Sequence, residues 1–205
     1  ETGDNGTVIL PGIVSGRSYR LEETKAPAGY ILNDLHPLVE FTVEADGSVS
    51  FTKTENTSGN DSITGDKTET LIFADAAVKA GIRKLSPEGD ELTGWEFSVT
   101  GIFAEGKGKT AGSQSTINVS DSSPELPEGR LIAGNSYQVK EIKAPAGYIR
   151  PECEYTICVN SDGTLVLDPD SGQEALTDND AAGTTGALLK ITDQPLKFGV
   201  DKVSN

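Results

Sequence analysis

Tyr19–Tyr30 (YRLEETKAPAGY) and Tyr137–Tyr148 (YQVKEIKAPAGY) are two copies of one motif in a chain of 205 residues. They lie 118 positions apart (137 less 19), and the same spacing relates Asp75–Lys84 (DAAVKAGIRK) to Asp193–Lys202 (DQPLKFGVDK). A spacing held at two separate places marks an internal repeat, and the repeat decides the fold before any single residue does. Between these anchors the register drifts. The Asp46-Gly47 and Asp162-Gly163 pairs are 116 apart (162 less 46), as small insertions and deletions in loops would make them.

Around those pairs, 39–51 (VEFTVEADGSVSF) and 155–167 (YTICVNSDGTLVL) alternate apolar and polar residues on both sides of an Asp-Gly turn, which predicts a β-hairpin in each repeat. Further strands are expected at 8–10, 17–23, 70–75, 78–84, 95–101, 136–142 and 187–192, with the polar stretches 53–69 and 168–186 as solvated loops. With 35% hydrophobic residues, 23 Gly and 10 Pro, the composition suits short strands joined by many turns. The expected fold is all-β, with tandem Ig-like β-sandwich domains. The repeat divides the chain into 1–76, the later part of a first domain; 77–195, a complete domain; and 196–205, the opening strand of a following domain or a strand donated to the first.

A net charge of −15 opposes binding to nucleic acid or to anionic membrane surfaces. No apolar run reaches the roughly 20 residues that a membrane-spanning helix needs. Cys153 and Cys158 sit five apart, which on an extended strand points them to opposite faces, so no disulfide is expected. His36, the only histidine, precedes a proline and suggests no catalytic triad. The acidic runs at Asp168–Asp170 and Asp178–Asp180 lack the ordered ligands of an EF-hand, so no metal and no cofactor is expected. Trp95 is read either as a partner anchor or as a core residue, and Cys158 as an outward thiol. Asn56, Asn60 and Asn118 match the glycan acceptor pattern, which matters only in a eukaryotic secretory pathway.

Three residues of the complete unit form a candidate chemical group: Lys84 at the end of its first strand, Glu141 on a middle strand and Asp193 at the end of its last. In a sandwich, the first and last strands can lie side by side with a middle strand opposite. Burial together would push Lys84 towards the neutral amine and a carboxyl towards the protonated acid, setting a nucleophile beside an electrophile. Spacing alone leaves this open against the ordinary fate of such residues as exposed strand-end charges.

The motifs YRLEETKAPAGY and YQVKEIKAPAGY resemble the E-box of CnaB-type (SpaA-like) domains of Gram-positive pilins and surface adhesins. The segment 81–99 (GIRKLSPEGDELTGWEFSV) resembles that family's opening, and LLKITDQP at 188–195 its closing strand. The resemblance implies an intramolecular isopeptide bond between Lys84 and Asp193, with Glu141 as the acid/base that promotes it. Asp193 stands where many members carry Asn, so the implied by-product is water rather than ammonia. Ile142 stands where Thr is common.

In the first repeat Glu23 and Asp75 hold the matching positions, and Lys202 matches the lysine of a following one. An exchange of the 196–203 strand between chains would set Lys202 near Glu23 and Asp75. The function implied is a stalk or repeat module of a surface adhesin or pilus protein in the bacterial cell wall, extracellular and partnered by neighbouring repeats. The alternative is an adhesin domain that itself grips a host extracellular protein. A single-use bond is not turnover, so no enzyme is expected.

Overall fold

Alternation of apolar and polar residues gives each segment one face to bury, and strands follow from that pattern throughout the chain. A computed structural model describes residues 8–32, 38–55, 62–65, 71–106, 108–171, 175–179 and 186–199, and every helix or strand among them is a β-strand. Contacts divide the chain into two compact units, one of residues 1–25 and 32–76, the other of residues 26–31 and 77–205. The second unit therefore contains a short piece of the first repeat's motif.

In the first unit, β1 (Arg17–Glu22), β2 (Leu38–Val43) and β3 (Val49–Glu55) form an antiparallel sheet in that order. A separate antiparallel pair joins β4 (Ser62–Gly65) to β5 (Leu71–Ala74). The inward residues Val39, Phe41 and Val43 are buried beneath Tyr19, Leu21, Val49 and Phe73. The stretch 8–10, expected as a strand, forms none, and β4 lies within a segment expected to be loop.

The second unit contains β6 (Ala80–Leu85), β7 (Glu96–Gly101), β8 (Ser115–Ser120), β9 (Ser136–Lys143), β10 (Glu154–Val159), β11 (Leu165–Leu167), β12 (Ala175–Asp178) and β13 (Ala187–Thr192). One sheet runs β11-β10-β9-β7-β8 and the other β12-β13-β6. The two sheets share one core. Ala80, Ile82, Leu189 and Ile191 meet Phe97, Val99, Tyr137, Val139, Tyr155 and Ile157 in a single buried cluster. Pairing is antiparallel except between β6 and β13, the first and last strands, which run parallel with Lys84 opposite Ile191. Residues 196–199 join no strand.

Two local devices recur in both units. Gly47 and Gly163 hold φ of 85° and 80°, a region that favours glycine. Beside them Asp46 Oδ1 accepts from Ser48 N (2.9 Å) and Ser48 Oγ (2.6 Å), and Asp162 Oδ1 accepts from Thr164 N (2.9 Å) and Thr164 Oγ1 (2.6 Å). These hydrogen bonds stabilise the charged carboxylates and hold both below the ordinary Asp range. They also close the Asp-Gly turns.

The second device is the tyrosine that opens each motif. The Val14 N–H donates to the Tyr19 hydroxyl at 2.7 Å, and the Ile132 N–H donates to the Tyr137 hydroxyl at 2.8 Å, in each case from five residues upstream. Tyr137 in turn donates to the Ile102 carbonyl at 2.9 Å, so one buried phenol ties two loops to β9.

Tyr137→Phe keeps the ring and orphans both backbone groups, which should cost about 1–3 kcal/mol. Urea unfolding of the variant checks this, and a midpoint unchanged from wild type would remove the hydroxyl from the account.

Candidate functional site

Lys84 points inward because β6 alternates, with Ala80, Ile82 and Lys84 buried on the core face. The parallel ladder continues one step beyond β13, where the Asp193 N–H donates to the Leu85 carbonyl at 3.0 Å. That bond holds the Asp193 side chain beside Lys84. Glu141 arrives from the opposite sheet, as the last inward residue of β9 after Tyr137 and Val139. The ladder between β7 and β9 shifts register at Glu96/Phe97, where Phe97 faces Glu141 and Glu96 faces Lys143. Alternation already points Ile142 outward, 40% exposed, and the bulge turns Lys143 to the exposed side as well, while Glu141 stays buried.

The structure brings the three charged residues together. Lys84 Nζ lies 2.5 Å from Asp193 Oδ1 and 3.2 Å from Glu141 Oε2, and all three residues are 1% exposed. The amine also stands 5.2 Å from the centre of the Phe97 ring. Such a group is costly, because each charge has left water for a largely apolar enclosure. Burial is the main force on Glu141, and the negative charge of Asp193 adds to it. Against the pull of Lys84, they raise the Glu141 carboxyl from 4.5 to about 7. Glu141 Oε1 is buried without a hydrogen-bond partner, which fits a carboxyl that keeps its proton near neutrality. Tyr155 closes the same wall. Its burial, then the Cys153 thiol and the Asp193 and Glu141 carboxyls, push its phenol far above the usual range.

The remaining candidates separate from this group. Glu23 directly follows β1 and Asp75 directly follows β5, both half-buried in the first unit. Lys202, His36, Asn56, Asn60 and Asp180 lie outside the described residues. Asp168 makes a local turn, accepting from the Asp170 N–H at 3.0 Å, and Asp178 pairs with Lys190 at 2.5 Å. Among the described residues, no cluster of His, Cys, Asp or Glu is placed to hold a metal. Trp95 is a core residue, 2% exposed, with its indole N–H donated to the Leu92 carbonyl at 2.8 Å. That leaves it no free face to anchor a partner. Cys158 is half-buried on the outer face of β10, 3.1 Å from Ser136 Oγ, and Cys153 is exposed; neither forms a disulfide. Asn118 is exposed on β8.

Sequence reasoning missed three residues, two of them around the site. Phe97 and Tyr155 wall it, and Asn179 ties the edges of the two sheets by accepting from Leu165 N (2.8 Å) and donating to Leu165 O (3.0 Å). The inward alternation of β7 and β10 could have marked the two aromatics. No sequence signal distinguishes Asn179 within its acidic run.

The family model for the SpaA prealbumin-like fold domain matches residues 1–58 and 78–172, well over half of the chain. Among solved structures, the chain is similar to a C-terminal fragment of the pilus adhesin SpaC from Lactobacillus rhamnosus GG, at 22% identity and a TM-score of 0.45, covering 97% of this chain and 83% of that one. It is also similar to the pilus adhesin RrgA from Streptococcus pneumoniae, at 16% identity and a TM-score of 0.31, covering 50% of this chain and 13% of that one. A third is BcpA, the major pilin subunit of Bacillus cereus, at 15% identity and a TM-score of 0.28, covering 90% of this chain and 41% of that one. No curated protein matches.

A carboxyl raised on folding binds its proton more tightly in the folded chain than in the unfolded one. The Glu141 contribution to stability is therefore fully present below 4.5 and is lost as pH rises through about 7. Infrared difference spectra between wild type and Glu141→Gln should show a carboxyl band that stays protonated well above the ordinary Glu range; a band lost near 4.5 would refute the burial argument.

Proposed function

Because this chain belongs to the SpaA family of prealbumin-like fold domains, we propose that it is a structural repeat module of a Gram-positive surface adhesin or pilus protein, whose complete unit closes itself with an amide bond between Lys84 and Asp193. The observation that supports this reading best is the buried approach of Lys84 Nζ to Asp193 Oδ1, at 2.5 Å, beside the raised carboxyl of Glu141.

Glu141 acts as the proton carrier. Lys84 Nζ passes one proton to Asp193 Oδ1, 2.5 Å away, and the freed amine attacks Asp193 Cγ. Glu141, protonated at the start, gives its proton to the departing Asp193 oxygen and takes one from the attacking nitrogen, so it ends as it began. Counted from the ammonium–carboxylate pair, two hydrogens leave the nitrogen and one oxygen leaves the carboxyl. Together they make one water, and a C–N bond replaces a C–O bond. The charges of Lys84 and Asp193 vanish in the same step, which relieves the cost of holding them in an apolar enclosure. Phe97, Tyr155 and the sheets around them keep bulk water away, so the amide is not readily returned to acid and amine. The reaction runs once per chain and is not turnover.

By analogy with a disulfide closing a comparably long loop, such a link should stabilise the unit by roughly 5 kcal/mol through the unfolded chain alone. Tying the first strand to the last suits a module that stands between a cell wall and whatever the whole protein grips. In this reading the partners are neighbouring repeats, and the location is the outer face of a Gram-positive cell.

The intact mass of the denatured chain should fall short of the sequence mass by one water. Peptide mapping should recover the Lys84 and Asp193 peptides joined in wild type and separate in Glu141→Ala. An unshifted mass would sink the cross-link and leave an ordinary buried charge cluster.

A further inference from the structure

The hexapeptide APAGYI occurs twice, at 26–31 and 144–149, and the structure treats the two copies differently. The first falls within the second compact unit. Val78 N–H donates to the Gly29 carbonyl at 2.8 Å, Tyr30 bridges to Ala77, and Ile31 packs against the unit's core. On its other side Gly29 approaches the Gly129 carbonyl so closely that a Cβ there would overlap it and press on the Ala104 methyl.

The second copy repeats the first half of this arrangement. Leu196 N–H donates to the Gly147 carbonyl at 2.8 Å, and Tyr148 bridges to Pro195. The other half has no counterpart among the described residues. Nothing among the described residues lies within 4 Å of where a Gly147 Cβ would point, and Ile149 is 50% exposed. Leu196 and Phe198 are 65% and 92% exposed, whereas Val78 and Ala80, each 118 positions earlier, are buried at 1% and 2%.

We infer that Ala144–Ile149, with the apolar residues Leu196 and Phe198, is a docking surface for a further unit of the same repeat, seated as unit two seats Ala26–Ile31. The hydrogen bonds that start the seat are already made, and the residues left in water are those whose counterparts are in the core. The Ile149 N–H bond to the Gln194 carbonyl and the Leu196 N–H bond to the Gly147 carbonyl set these exposed apolar residues beside each other, and exposed apolar patches mark interfaces. The same motif thus has two tasks: its glutamate faces its own unit, and its APAGYI end belongs to the next. This inference rests on the reading of the chain as a repeat module but not on the cross-link.

The test is a chain in which residues 76–193 are repeated directly after Asp193. Amide exchange across 144–149 should slow by roughly tenfold or more relative to the 205-residue chain. Gly29 and Gly147 share nearly the same φ, 88° and 86°, so alanine at either adds similar backbone strain and the difference reports the contact. In the original chain, Gly29→Ala should lower the melting temperature of the second unit more than Gly147→Ala does. In the extended chain, Gly147→Ala should become as damaging to the added unit. Unchanged exchange, or a Gly147→Ala effect equal in both chains, would overturn the inference. So would self-association of the 205-residue chain that Phe198→Ser abolishes, because a second copy would then be the occupant. Loss of one water without added protection would sink the docking alone, and added protection without the water loss would sink the cross-link alone.

Discussion

The parallel pairing of β6 with β13 is the constraint on which the second unit depends. Two strands far apart in sequence must lie in register, Lys84 opposite Ile191, before the ladder can extend to the Asp193 amide. Parallel strands of this kind cannot be joined by a tight turn, so everything between them, the five-stranded sheet, β12 and their loops, is the connection. Once that pairing is made, Glu141 needs only the ordinary inward alternation of β9 to reach the same point from the facing sheet. The cluster of three charged residues is thus a product of topology rather than of any local motif. Its cost is borne by the surrounding apolar core, in which Phe97, Tyr155, Ile82 and Ile191 are fully buried.

Each unit also carries its own local scaffolding. The Asp-Gly turns are held by an aspartate that accepts twice from the residue two places on, and each motif tyrosine receives a backbone N–H from five residues upstream. These are short-range bonds, available before the sheets assemble. They give each three-strand meander a register before it needs a partner, while β6 and β13 wait on long-range closure.

Much of this was legible in the residues. The Asp-Gly pairs set both hairpins, and the alternation in 187–192 and 136–142 placed the strands that carry Asp193 and Glu141. The edges were harder. β8 reads STINVS and β12 reads ALTD, and with only one or two inward residues each, neither shows a period strong enough to separate it from loop. β4, reading SITG, failed for the same reason. Residues 8–10 are apolar but form no strand, because apolarity without a partner strand does not make a ladder. Trp95 was left between surface and core because sequence does not reveal that the Leu92 carbonyl is waiting for its indole N–H. The convergence of Lys84, Glu141 and Asp193 needed the sheet order as well as the strands, and sheet order is a long-range property.

The direction of the outer strands has a mechanical side. Tension carried along the chain reaches β6 at Ala80 and leaves β13 at Thr192, which lie at opposite ends of one parallel ladder. Without a covalent link between the two strands, a pull on those two points loads the rungs from Ala80↔Ala187 to Leu85↔Thr192 together, in shear, rather than peeling them one at a time as a zipper opens. Rungs that must fail together resist a far greater force than the same rungs broken in turn. The unit is therefore strongest against a pull applied along its own two outer strands.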